Sequence, residues 1–429
     1  MTRFSRQRSR SDFGSGPGAM VFRSKPVRLT CSLFILFGTS LVLNIFSVSE
    51  QPNLLFVEES TEVASLESME SRGETEPGEI SIQQYIQISK DKNHDKERVL
   101  LLLKNNAGVQ EISENTYQQL PTWSQITELY GSKPRILGLE QCESYQSYIN
   151  VIQGDQKGLA VAGMFNSGTN LLSVLLASNC NLQFTKTNRT KRYLGIYPKT
   201  PWGKHNPPNI SVIENDPRQI LPVVTIRDPY RWMQSMCKAP YAADWPLNRN
   251  SKPNDIAEDK HCPALVPTDR DRELLQRKNI DAVLVNETRH YFPVRVTYSR
   301  QQIVKHYSLV HLWNDWYQEY IGLLQNQKVP RLMIRMEDLI FFPDQVVSKV
   351  CSCAGGQLIA YNNNGNIKMT MSSAKDGMPG NSRQTSYLEA IIRYGSQHSR
   401  YSGMTREDTE YARKYLNKEM MDTFHYLLS

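Results

Sequence analysis

Apolar and polar positions alternate differently along three parts of the chain. From Leu29 to Ser49 no residue is charged, and Leu33–Phe37, Leu41–Leu43, Ile45 and Phe46 form a nearly continuous apolar run. About 20 residues of helix rise about 30 Å, the thickness of a bilayer's hydrocarbon core. The run is therefore expected to cross a membrane once. Arg23, Lys25 and Arg28 precede it and Glu50, Glu58 and Glu59 follow it. The positive-inside tendency then leaves a basic tail, residues 1–28, in the cytosol and sends the rest across. A cleaved signal peptide is the competing reading. A leader of 28 residues and an apolar run longer than the usual signal core oppose it. Residues 50–79 are rich in Glu, Ser and Thr with little periodicity, and an extended acidic stem is expected over 50–95.

Beyond a pre-domain extension over 96–156, with an apolar run at Val99–Leu103 and a helical pattern around Cys142–Ile152, the rhythm changes to alternating strand and helix. Gly158–Met164 (GLAVAGM) is short, apolar and glycine-bounded, as a buried parallel strand is. A turn at Phe165–Thr169 and a helix at Asn170–Ser178 follow. Val223–Ile226 is a second buried strand, with a helix over Tyr230–Cys237. Tyr307–Gln325 predicts a long amphipathic helix, Arg331–Arg335 a third strand, and 384–394 and 406–428 further helices. The expected fold is α/β, a parallel sheet flanked by helices, within a domain spanning 157–429.

The net charge of +7 is unevenly spread. Residues 1–49 hold seven Arg or Lys against one Asp, and 50–79 hold nine Glu against one Arg, so the remainder is basic. That balance favours an anionic ligand. Nucleic acid fits on charge alone, but a domain on the far side of a secretory membrane never meets any. Asn188, Asn209 and Asn286 each open a glycosylation sequon. Past Cys31, six cysteines (Cys142, Cys180, Cys237, Cys262, Cys351 and Cys353) suit an oxidising lumen and allow 15 pairings. Cys237 and Cys262 flank an irregular Pro- and Asp-rich stretch and are expected to be bridged. No Cys-x-x-Cys pair or His cluster marks a metal site.

Strand, glycine-bearing turn and helix is the arrangement that converges backbone amides on phosphate. Gly163 and Gly168 have the spacing of a nucleotide-binding loop, but Thr169-Asn170 follow where a Lys-Ser/Thr pair grips β/γ-phosphates in kinases and ATPases. An ordinary tight turn is the plain alternative. Arg227-Asp228-Pro229 stands at the end of the second strand with Ser235 eight residues on. Ligands of open α/β sheets collect at strand carboxyl ends, so both loops are expected to face one ligand, although Arg227 alone could simply pair with Asp228.

These residues carry a resemblance. Gly163–Leu171 (GMFNSGTNL) resembles the 5′-phosphosulfate loop of sulfotransferases, Arg227-Asp228-Pro229 with Ser235 resembles that family's 3′-phosphate motif, and Leu332–Pro343 (LMIRMEDLIFFP) its Glu-Asp-Leu segment. The membrane anchor is similar to that of the Golgi branch. The resemblance implies a sulfotransferase in the Golgi membrane that takes 3′-phosphoadenylyl sulfate (PAPS), uses no metal, and acts on a hydroxyl of a carbohydrate or other secretory-pathway acceptor. It implies that Ser167, Gly168, Thr169 and Asn170 hold the phosphosulfate, largely through amides, and that Arg227 and Ser235 hold the 3′-phosphate. A basic loop from Lys375 to Arg383 either closes over the nucleotide, as a C-terminal loop does in the family, or is a plain solvated loop. Asn166 departs from the family, which usually has Lys or Arg there. Either Lys204, Lys186 or Arg189 replaces that cation, or the protein turns over weakly or not at all.

Sulfuryl transfer needs a base for the acceptor's proton and positive groups where charge builds on the leaving oxygen. His205, in the Pro- and Gly-bounded loop Pro201–Pro207, is the candidate base, with Lys204 beside it. A lone loop histidine is more commonly a surface residue, and His261, His290, His306 and His311 are rivals. Trp202 and Trp245 are either stacking platforms or plain core. Two other readings stay open. One is a type II metal-dependent glycosyltransferase, resting only on Asp269-Arg270-Asp271, a charged, Pro-preceded stretch with no apolar strand before it that reads better as a solvated charge run. The other is a binding protein of sulfotransferase fold that has lost catalysis.

Overall fold

Three apolar segments flanked by glycine, proline or arginine become the central strands of the fold. The computed structural model describes residues 79–92, 95–151, 158–182, 195–208, 217–245, 294–298, 303–325, 329–359, 365–369 and 386–428, with a few single positions between 263 and 273. All belong to the second of two compact units, Ser71–Ser429.

Its sheet is built from β1 (Ile136–Leu137), β2 (Gly158–Gly163), β3 (Ile196–Tyr197), β4 (Ile220–Ile226) and β5 (Leu332–Arg335), in the spatial order β1-β5-β4-β2-β3. β5, β4, β2 and β3 run parallel, and β1 closes one edge antiparallel to β5. Every residue of β2 and β5 is buried, as in a sheet covered on both faces. The register pairs Gly163 with Thr225 and Arg335 with Ile226, so the carboxyl ends of the three central strands lie together.

The flanking helices include α1 (Thr169–Asn179), α2 (Pro229–Lys238), α3 (Leu309–Gln325), α4 (Met336–Phe341), α5 (Pro343–Cys353) and α6 (Tyr387–Gly395). The expected strand–helix order is thus present, with boundaries moved by a few residues. The 406–428 segment is two helices, Arg406–Tyr415 and Lys418–Thr423.

The stem boundary is corrected. Residues expected to be extended fold as a helix, Ile82–Asp91, with Ile82, Tyr85, Ile86 and Ser89 buried. That is the i, i+3, i+4, i+7 stripe of an amphipathic helix. Ser81 and Gln84 close a reciprocal capping box at its start. The run Val99–Leu103 is likewise helical, inside Glu97–Ala107, and packs on Ile82–Asp91. Acidic composition upstream had masked the period.

Two disulfides, Cys142–Cys353 and Cys180–Cys351, tie α5 to the segments on either side of β2. Such bonds fit a secreted or lumenal protein. Cys237 is also disulfide-bonded, while Cys262 lies outside the described residues. Among the described residues no helix is long and apolar enough to cross a membrane. The span Leu29–Ser49, all three sequons, His261, His290, Lys186, Arg189, Arg270, Asp271 and Arg383 lie outside them.

Candidate functional site

Strands β2, β3 and β4 each end in a loop that carries candidate residues, and parallel register brings the loops to one edge. After β2 the chain turns through two left-handed residues, Asn166 (φ 59°) and Gly168 (φ 90°), into α1. Asparagine tolerates that region better than most side chains. Gly163 is required by space: a Cβ there would stand 2.3 Å from Thr225 Oγ1 and 2.4 Å from Ser167 Oγ. No side chain caps the start of α1. The first-turn amides of a helix have no acceptor within it, so they face outward as donors at its positive end.

Ser167 itself is turned inward. Its hydroxyl is fully buried, donating to Met164 O at 2.8 Å and lying 2.9 Å from Thr225 Oγ1. It pins the turn to β4, so any ligand contact from this loop comes from amides and from Thr169 and Asn170.

The second loop meets the first directly. Arg227 Nη1 donates to the carbonyl of Asn166 at 2.7 Å. Its side chain is only 5% exposed, and its Nε is buried with no hydrogen-bond partner. Arg227 does not pair with Asp228. One Asp228 oxygen caps α2, accepting from the amides of Tyr230 and Arg231, and the other accepts from Arg400 Nε at 2.6 Å. Ser235 is half-buried on α2, and its carbonyl accepts from Asn166 Nδ2 at 3.3 Å. The same Asn166 amide donates to Ala239 O at 2.7 Å. Asn166 therefore stitches the turn to the far end of α2.

The loop after β3 completes the edge. Gly163 N donates to Lys204 O at 3.0 Å. Lys204 Nζ donates to Asn170 Oδ1 at 2.9 Å, placing an ammonium at the first turn of α1. His205 Nδ1 lies 2.7 Å from Gly163 O. A carbonyl only accepts, so Nδ1 carries the proton and Nε2 is the basic nitrogen.

Helix α3 aligns these loops from beneath. Trp313 Nε1 donates to Arg227 O (3.1 Å), Trp316 Nε1 to His205 O (3.0 Å), Tyr317 OH to Thr225 O (3.0 Å) and Tyr320 OH to Asn206 O (3.2 Å). These aromatic residues fall at i, i+3, i+4 and i+7 on one face. The pattern is visible in the sequence, but nothing local says that its polar tips bind loop carbonyls.

The Glu-Asp-Leu segment lies behind the site as α4. Glu337 accepts from the amide of Asp228 (3.1 Å) and from Tyr426 OH (2.9 Å), and burial pushes its carboxyl above the usual range, with the Asp228 charge adding to the effect. Asp338 accepts from Arg335 through two bonds, at 2.6 and 2.8 Å. Both carboxylates serve the scaffold.

Sequence reasoning missed Arg393, on α6. Burial lowers the affinity of its guanidinium for its proton, Tyr394 opposes this, and the charges of Arg227 and Arg231 add to it. Among the described residues its side chain has no hydrogen bond or ion pair. The Tyr394 ring lies 5.3 Å from the Arg227 guanidinium and 5.2 Å from that of Arg231. Three guanidiniums thus gather here, while of the nearby carboxyls Asp228 is committed to Arg400 and Glu337 to the Asp228 amide and Tyr426.

Of the rivals to His205, His306 pairs with Asp315 at 2.6 Å and His311 sits against Tyr307 and Tyr415. Trp202 and Trp245 are buried core residues. Compared with known protein families, with curated proteins and with solved structures, the chain matches none of them.

Proposed function

We propose that this chain is a sulfotransferase of P-loop-like fold. It moves a sulfuryl group from PAPS to a hydroxyl of a carbohydrate or other secretory-pathway acceptor, in the Golgi lumen, from a single-pass type II anchor. One contact carries this reading: the Arg227 guanidinium donating to the carbonyl of Asn166. It puts the loop at the start of α1 and the loop with the buried arginine in direct contact, as two loops that share one anionic ligand would be. Arg227 Nε, buried without a partner, fits a phosphate oxygen. Arg393 adds positive charge on the same side.

PAPS, when bound, supplies the activated sulfuryl group; the remaining roles belong to the chain. Thr169 and Asn170, at the start of α1, hold the phosphosulfate end, and Arg227 with Ser235 the 3′-phosphate. His205 Nε2 takes the acceptor's proton as the new O–S bond forms. The S–O bond to phosphate breaks, and the charge gained by the departing oxygen is met by Lys204 and the α1 amides. Lys204, already at the first turn of α1, answers the missing cation at Asn166.

One observation favours a binding protein without turnover. The Asn166 amide is occupied by Ala239 and Ser235 carbonyls and supplies no charge. Thermal melting with adenosine 3′,5′-bisphosphate, together with transfer of labelled sulfate from PAPS to a glycan panel, separates the two. Stabilisation with transfer supports the enzyme, with His205→Ala abolishing transfer but not stabilisation. Stabilisation without transfer, reversed by Asn166→Lys, supports the binding protein. No stabilisation at millimolar nucleotide overturns both.

A further inference from the structure

Just past α2 the chain passes through Tyr241, whose backbone is left-handed at φ 53°. A bulky aromatic in that region is an outlier and is strained. The surroundings hold it there. Ala243 N donates to Pro240 O at 3.0 Å to close the turn, and Asn166 Nδ2 grips the carbonyl of Ala239 at 2.7 Å. The same asparagine that shapes the first loop therefore fixes the approach to Tyr241.

The strain places a ring beside the chemistry. Tyr241 stacks on Phe165, with centroids 5.7 Å apart and an interplanar angle of 12°. Phe165 also contacts the His205 ring, at 4.9 Å. Phe165 is nearly buried and its carbonyl accepts from Trp232 Nε1 at 2.7 Å, so it is a fixed floor. Tyr241 remains 46% exposed. Phe165 joins it to the loop of residues 203–208, which are half-buried and include Lys204, His205 and Asn206.

Building on the sulfotransferase reading, we infer that Tyr241 is the acceptor platform, on which a pyranose ring lies with a hydroxyl directed at His205. An aromatic face takes the apolar C–H face of a sugar, and the rim of polar side chains suits its hydroxyls. A phenol or steroid would want an enclosed apolar slot. A half-exposed tyrosine suits one residue of a longer saccharide, whose remainder continues outward.

Tyr241→Asn tests this. Asparagine is better suited to the left-handed backbone, so the variant's melting temperature should equal or exceed that of the parent, and its affinity for adenosine 3′,5′-bisphosphate should stay within about twofold, since no nucleotide contact is removed. Calorimetric binding of N-acetyllactosamine, lactose and chitobiose to the bisphosphate-loaded protein, and KM for labelled-sulfate transfer to them, give the second readout. The expected result is about three- to tenfold weaker saccharide binding and a matching rise in KM, with Tyr241→Phe close to the parent. Unchanged saccharide binding and KM in Tyr241→Asn overturn the platform alone. So does a parent that binds p-nitrophenol but none of the saccharides. A parent that is not stabilised by the bisphosphate overturns the sulfotransferase reading, and the platform with it.

Discussion

Replacing Arg227 with Met should separate ligand affinity from stability. Arg227 is 5% exposed, spends one N–H on the Asn166 carbonyl and leaves Nε buried without a partner. A hydrogen bond to a charged group contributes about 1.5–3 kcal/mol, and an unsatisfied buried donor costs about 1–3 kcal/mol. In the ligand-free protein these oppose one another, and loss of the charge also relieves Arg393. Arg227→Met should therefore shift melting by no more than roughly 2–4 °C. With a 3′-phosphate present the balance changes, because the lost donor then has an anionic partner. Affinity for adenosine 3′,5′-bisphosphate should fall roughly ten- to 150-fold. Ligand at about 100 times the parent Kd stabilises the parent by about 2.7 kcal/mol, and a variant binding 30-fold more weakly by only about 0.9 kcal/mol. Melting curves with the bisphosphate and with adenosine 5′-monophosphate, which lacks the 3′ group, read this directly. An equal loss for both nucleotides, or none for the bisphosphate, refutes the assignment of Arg227 to the 3′-phosphate.

Two further outcomes follow from buried groups and crosslinks. Burial raises the Glu337 carboxyl above its ordinary value of 4.5, so the folded state holds that proton more tightly than the unfolded chain and stability falls as pH rises above that value. Glu337→Gln keeps an acceptor for Asp228 N and should melt higher than the parent at neutral pH, by a margin that vanishes on acidification toward the ordinary value; a margin independent of pH, or growing in acid, counts against it. With the other bridge intact, each disulfide closes a loop of only about 40 residues, from Cys142 to Cys180 and on through Cys351 to Cys353, for which chain entropy gives about 4 kcal/mol. The Cys142→Ser/Cys353→Ser and Cys180→Ser/Cys351→Ser variants should each melt well below the parent, and unchanged melting would place that bridge outside the folding equilibrium.

What the sequence exposed was local. β2 with its turn and α1, and β4 with Arg227-Asp228-Pro229 and α2, are each a continuous apolar run followed by a breaker and a helix, and β5 is an apolar run leading straight into the Glu337-Asp338 helix, so the pattern suffices to find them. Ile82–Asp91 was hidden because its stripe is only four residues wide within a polar, Glu-bordered context, and its stability comes from packing on Glu97–Ala107. β1 and β3 are two residues each, too short to leave a period.

The sheet order, the pairing of cysteines 211 and 171 residues apart, and the meeting of Arg227 with Asn166 depend on contacts between distant segments, which no local window contains. The same holds for direction. Ser167 reads as a ligand and turns inward, whereas Arg393 and Tyr241 carry no motif and reach the site through α6 and a strained turn. Chain chemistry determined which groups are present and where helices and strands begin. Tertiary packing decided which of those groups lie close enough to share a ligand, because electrostatic and stacking contacts act over a few ångströms whatever the separation along the chain.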